Sequence, residues 1–145
     1  MERKLRILGW REWVTLPDLK ISHIKAKIDS GARTSALHAE NIHYYLHHGV
    51  DYVGFTLFPE QKKREPSHQH CAPLKEKRVI RSSVGVETFR PVIETSLQIG
   101  NYCLPIELTL IDRGMMGVRM LIGREAIRNR FLIDTGRSFL LGHPK

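Results

Sequence analysis

Apolar residues recur at every second position along much of this chain. Ile24, Ala26 and Ile28 alternate with Lys25 and Lys27, the signature of a half-buried strand, and that run delivers Asp29 at its end. Leu104, Ile106, Leu108 and Leu110 alternate with Pro105, Glu107 and Thr109 in the same way. Val79, Ile80 and Val84, and then Val92, Ile93, Leu97 and Ile99, fall in β-rich stretches broken near Gly85 and Gly100. Met120-Leu121-Ile122 is a short apolar run that stops at Gly123, as a buried strand would. Only Arg124 to Arg128 invites a helix, of one or two turns, before Phe131-Leu132-Ile133 returns to strand character. Many short strands separated by turn signals predict an all-β fold, a small barrel or sandwich, with residues 1–145 forming one domain. No solenoid-type repeat or low-complexity tail interrupts the pattern. The one compositional break, Pro59 to Pro73, is rich in Lys, Glu, Gln and His and is expected to be an exposed loop or insertion.

Composition agrees with a globular chain: of 145 residues, 41% are hydrophobic and 26% charged, enough to build a core without staples. The 23 Lys and Arg against 15 Asp and Glu leave a net charge of +8, which calls for an acidic partner or a solvated basic face. No apolar run approaches the ~18 residues of a membrane span, and Met1 to Trp10 lacks the apolar stretch of a signal peptide. Two cysteines, Cys71 and Cys103, make no disulfide framework, so a cytoplasmic, reduced protein is expected.

The sharpest motif is Lys27-Ile28-Asp29-Ser30-Gly31-Ala32-Arg33-Thr34-Ser35-Ala36-Leu37. An apolar strand carries a carboxylate onto a tight turn. Gly31 permits close backbone approach, a hydroxyl at Ser30 can tie the loop, and Ala32 leaves room over the acid. Asp29-Ser30-Gly31 taken alone is equally ordinary turn chemistry. Arg33 offers its cation either to an acidic substrate or to a structural ion pair.

Asp-Ser-Gly-Ala, followed late in the chain by Met120-Leu121-Ile122-Gly123-Arg124, resembles the retropepsin-like aspartic proteases. Gly9-Trp10-Arg11-Glu12-Trp13-Val14, Ala32 to Ala39, Arg90-Pro91-Val92-Ile93 and Leu121 to Arg124 together resemble one bacterial family of that clan, labelled ATP-dependent zinc protease. The resemblance implies a retropepsin-like closed barrel with a short C-terminal helix. Asp29 would be the catalytic acid, with Ser30, Gly31, Ala32 and Thr34 as its supporting loop and Arg33 and Arg124 as substrate-binding candidates. Aspartic proteases use two carboxylates that share one proton. Asp134-Thr135-Gly136 is a tempting second, but nine residues follow Gly136, too few for a second lobe. Asp134 is therefore expected to be structural, and the dyad to come from Asp29 of two identical subunits. A covering flap is expected at Arg81–Arg90, turning at Val84-Gly85.

Relatives of that kind keep company with enzymes that add glutamates to proteins, which together with +8 implies an acidic or glutamate-rich peptide as substrate. The zinc label finds weak support. Eight histidines include no His-Glu-x-x-His, and His38 and His43 lie five apart. His68, His70 and Cys71 are the weak candidates, without a fourth ligand nearby. No Gly-x-x-x-x-Gly-Lys-Ser/Thr is present, so no ATP site is expected. Two alternatives to an aspartic peptidase stand: a zinc-dependent peptidase, and a non-catalytic basic β-domain binding RNA, ribosome or an acidic protein. Aromatic residues at 8% with no basic interleaving weigh against nucleic acid. Lys62-Lys63-Arg64 and Lys75-Glu76-Lys77-Arg78 are the clusters such a role would use.

Overall fold

The structure, a computed structural model, describes residues 5–58, 67–81, 84–112 and 118–141. Its strands are β1 (Arg6–Gly9), β2 (Arg11–Leu16), β3 (Ile21–Asp29), β4 (Ser35–His38), β5 (Glu40–His47), β6 (Val50–Leu57), β7 (His68–Pro73), β8 (Glu76–Arg81), β9 (Glu87–Ile99), β10 (Tyr102–Ile111), β11 (Met120–Gly123) and β12 (Phe131–Asp134). The short helix α1 (Arg124–Ile127) follows β11, and a 3-10 turn at Pro17–Leu19 joins β2 to β3. The main sheet runs β10-β4-β11-β3-β2-β9, and β9 pairs back onto β10, so six strands close into a barrel with β8 added outside β9. This is the expected all-β, retropepsin-like architecture. Helix α1 lies where the single helical stretch was read.

Alternation explains which side chains fill the barrel. Ile24, Ala26 and Ile28 of β3 point inward, as do Leu104, Ile106, Leu108 and Leu110 of β10, and all of them join one buried cluster. Each large aliphatic chain buried this way stabilises the fold by about 1.5–3 kcal/mol. β2 keeps the same phase with Glu12, Val14 and Leu16 inward, which places a carboxylate in the core at 0% exposure. Glu12 Oε2 accepts the backbone N–H groups of Gly9 (2.7 Å) and Leu140 (2.9 Å), and Oε1 accepts that of Leu141 (3.1 Å). The acid thus clamps the entry to β2 against the tail that follows β12, itself paired in parallel with β1.

A separate sheet, β5-β6-β7, covers one side of the core through Val53, Phe55, Leu57 and Ala72. It corrects one expectation. His68–Pro73 is no loop but a strand, paired in register from Leu57↔His68 to Tyr52↔Pro73. Residues 59–66 of that stretch, including Lys62-Lys63-Arg64, lie outside the described residues. Imidazoles on the inward face of β7 hid its strand period: His68 and His70 stand there beside Ala72, stack on each other, and His70 packs on Phe55.

β8 and β9 form a hairpin whose turn contains Gly85 in the left-handed region at φ 85°. Ser82 and Ser83 of the expected Arg81–Arg90 flap are outside the described residues. β10 pairs with β9 only as far as Val92, and from Pro91 to Glu87 β9 pairs with β8. This projecting end carries Val84 and Phe89 at 82% and 64% exposure.

Candidate active site

Strand β3 ends at Asp29 because Gly31 and the following small and hydroxyl residues turn the chain over the end of β11. β11 is wedged between two strands of the same segment: it runs parallel to β3, with Gly123 opposite Asp29, and antiparallel to β4. The intervening turn is sewn down on every side. Asp29 Oδ1 accepts the Gly31 N–H at 3.0 Å, and the Asp29 carbonyl accepts that of Ala32 at 3.2 Å. The carbonyls of Ala32 and Arg33 accept the first N–H groups of α1, from Arg124 (2.8 Å) and Glu125 (3.1 Å). A short helix whose orphan donors are spent this way anchors the loop rather than binding a ligand. The Arg124 guanidinium donates to the Gly31 carbonyl at 3.2 Å, so it braces the turn.

Gly123 is what lets the two segments cross. A Cβ there would sit 2.6 Å from the Thr34 carbonyl carbon and 2.8 Å from the Arg33 oxygen. Its own N–H reaches Ser35 Oγ at 3.1 Å, and Ser35 is buried. The hydroxyl that ties the loop from its own segment is therefore that of Ser35, while Ser30 is exposed. Thr34 Oγ1 accepts from Arg78 Nη1 at 3.0 Å, which pins the β8–β9 hairpin to the Asp29 turn.

Arg78 is held in turn by Glu76 (2.7 Å) and Glu107 (3.2 Å), and Glu107 also receives Lys75 at 2.6 Å. The Lys75 hydrogen bond, with help from Arg78, holds the Glu107 carboxyl below the usual carboxylate range. Glu107 and Glu125 were not singled out by sequence, Ser35 was read only as part of the Lys27 to Leu37 motif, and Arg78 only as part of a basic cluster. The signal for Arg78 and Glu107 was their charge within strand-like stretches. The same pairing accounts for Lys75 to Arg78: these cations answer Glu76, Glu94 and Glu107 within the chain, and Lys77 lies over the Tyr44 ring at 3.9 Å. Arg33 pairs with Glu125 at 2.9 Å, and this holds the exposed Glu125 carboxyl below its usual range.

Asp134-Thr135-Gly136 is built on the same plan but elsewhere. Asp134 Oδ1 accepts the Gly136 N–H at 2.9 Å, and the Asp134 carbonyl accepts that of Arg137 at 3.3 Å. Its parallel neighbour is β1, with Gly9 opposite Asp134 as Gly123 is opposite Asp29. The Trp10 N–H bonds the Arg137 carbonyl at 2.8 Å, the counterpart of Arg124 to Ala32.

The zinc candidates do not converge. His68 and His70 stack with ring centroids 6.1 Å apart, His70 packs on Phe55, and Cys71 is exposed on the opposite face of β7. Burial, reinforced by His68 and Lys20, lowers the His70 pKa. His38 Nε2 lies 3.0 Å from Glu40 Oε2, an internal contact. Among the described residues no group of three or more His, Cys, Asp or Glu could hold a metal ion. This donor set does not fit the tetrahedral site zinc requires. Among the same residues no helix is long and apolar enough to cross a membrane.

A family model described as RimB-like, retropepsin-like aspartic endopeptidase RimB, matches residues 7–144. Proteins named probable alpha-L-glutamate ligase from Shewanella pealeana and Desulfotalea psychrophila are 43% and 41% identical over 136 and 137 residues. These alignments take in 94% of this chain but 30% of each relative, so the chain spans under a third of the length of those relatives. A crystal structure of a Legionella pneumophila protein of unknown function superposes with a TM-score of 0.76 at 25% identity, covering 95% of this chain and 99% of that one.

Proposed function

Since the chain belongs to the RimB-like family of retropepsin-like aspartic endopeptidases, we propose that it is an aspartic-type peptidase whose site forms between two copies, one Asp29 from each. The observation that carries this reading is the construction of the Asp29 turn. A carboxylate stands at a strand end with its backbone fixed by α1, Gly123, Ser35 and, through Thr34, the hairpin. Such rigidity is what a catalytic acid needs and what an ordinary surface turn lacks.

In the paired site the two carboxyl groups share one proton. The ionised Asp29 takes a proton from a water molecule, whose oxygen attacks the scissile carbonyl carbon. The protonated Asp29 donates to the carbonyl oxygen, giving a neutral gem-diol. Proton transfer to the amide nitrogen and collapse of the diol then break the C–N bond, releasing an acid and an amine. Asp134 is structural in this scheme, because its turn belongs to the β1–β12 ribbon and not to the β3–β11 crossing.

An acidic, glutamate-rich peptide is the substrate class. The net charge of +8 favours it, as does similarity to relatives named for glutamate ligation. Asp29→Asn protein is expected to lose hydrolysis of a glutamate-rich peptide while keeping its melting temperature and its dimer in sedimentation. Undiminished cleavage, or a monomer that cleaves at full rate, would overturn the proposal.

A further inference from the structure

A cavity of about 540 Å³ lies between the end of α1, the start of β10 and β12. Its floor is apolar, from Leu104, Phe131 and the Tyr102 ring, and Arg128 and Arg130 stand over it. A second hollow of about 280 Å³, reaching Thr34 and Ser35, shares Glu125 and Arg130 with the first. The two therefore form one groove that leads from the catalytic turn out to β12.

Charge is unbalanced in the first hollow, whereas the second also carries Glu94 and Glu107, which Lys75 and Arg78 engage. The acid at the junction, Glu125, is already engaged by Arg33 at 2.9 Å. Arg130 reaches only the Glu125 carbonyl, at a long 3.4 Å. Among the described residues the Arg128 guanidinium has no hydrogen-bond partner, although its charge acts on Glu125. Outside the lining, the Arg6 guanidinium lies 5.8 Å from the Tyr102 ring. Two guanidinium groups, over a floor on which aliphatic stems can rest, match carboxylates carried on short methylene chains.

We propose that this groove is a second binding site that takes the carboxylate side chains of an acidic peptide flank, with Arg128 and Arg130 as their ligands. The proposal rests on the peptidase reading for the identity of its occupant, and the geometry is independent of Asp29 chemistry. A chain held at the turn by its scissile bond would lay its flanking residues along the groove, so that neighbouring carboxylates meet successive arginines. Charge alone would make the site salt-sensitive.

The test uses Asp29→Asn protein, which holds a peptide without cutting it, titrated calorimetrically with tetraglutamate. Replacing both Arg128 and Arg130 by Gln is expected to weaken binding by at least about tenfold, the loss of a single charge-assisted pair. Both side chains are exposed, so the melting temperature should stay within about 2 °C, and tetraglutamine should not bind. Equal affinity in the double variant overturns the proposal. Inorganic phosphate that displaces tetraglutamate at matched concentration also overturns it, in favour of a general anion hole. If the unaltered protein fails to cleave acidic peptides while binding still depends on the two arginines, the peptidase reading falls and the groove stands. If it cleaves acidic peptides while binding is indifferent to both arginines, the groove falls and the peptidase reading stands.

Discussion

Gly123→Ala isolates the crossing that positions Asp29. Gly123 has φ −84° and ψ 169°, extended backbone that alanine adopts freely, so the substitution adds no conformational strain. The new methyl carbon would lie 2.6 Å from the Thr34 carbonyl carbon and 2.8 Å from the oxygens of Arg33 and Thr34. All three are backbone atoms of the Asp29 loop, and none can rotate away. Ordinary contact begins at 3.4 Å, so the loop must move by about 0.8 Å. Overpacking on that scale costs about 1–3 kcal/mol, which lowers the melting temperature by about 3–10 °C in a chain of this size. A shift of ~1 Å in a reacting group can cost ~100-fold in rate, so hydrolysis should fall much further than stability. Gly9→Ala supplies the matched control: its methyl would meet the Arg137 oxygen at 2.5 Å and the Ser138 Cα at 2.8 Å, beside the Asp134 turn. It should lose similar stability and keep its rate within about threefold. Thermal unfolding and peptide hydrolysis of the pair decide the matter. Equal rates in the two variants would refute the idea that the β11 crossing sets the catalytic geometry.

Glu12→Gln leaves one acceptor oxygen for the three N–H groups that the carboxylate serves and turns an amide donor toward another. A loss of about 1.5–3 kcal/mol is expected in urea unfolding, and an unchanged midpoint would contradict the buried clamp. His70 favours its neutral form in the fold because burial opposes its charge. As pH falls below its ordinary value of 6.5 the unfolded chain takes up the proton first, so stability present above that pH declines. Thermal melts should show this decline in the parent and a shallower one in His70→Phe; identical slopes would discount His70.

Where sequence reading succeeded, the local pattern and the tertiary role coincide. The alternation of β3 and β10 sets their inward faces, and Asp29-Ser30-Gly31 with Leu121 to Arg124 marks the two segments that cross. In sheet β5-β6-β7, the His38 to His43 stretch reads as strand. β6 and β7 were illegible because the sheet carries His43, Tyr45, His47 and Tyr52 on its outward face instead of plainly polar residues. Glu12 was illegible for a different reason. Its neighbours Val14 and Leu16 set the inward phase, yet a lone acid between Arg11 and Trp13 looks solvated until three backbone donors arrive from the two chain ends. Arg78 could be seen as a charge but not as the strap from hairpin to turn. Its partner Thr34 lies 44 residues away.

The two crossings also use one backbone plan twice within one chain. Ile28-Asp29, a hydroxyl residue and Gly31 reappear as Ile133-Asp134, a hydroxyl residue and Gly136, and each aspartate caps its own glycine. What repeats is what the turn's backbone requires, so the aspartate by itself is no signature of chemistry. The two turns differ in what surrounds the aspartate: small Ala32 against Arg137, and Thr34, strapped by Arg78, against Phe139, stacked on Trp13. Transplanting Ala32 and Thr34 onto the Asp134 turn would ask how few changes separate a scaffold turn from one that supports the proposed chemistry.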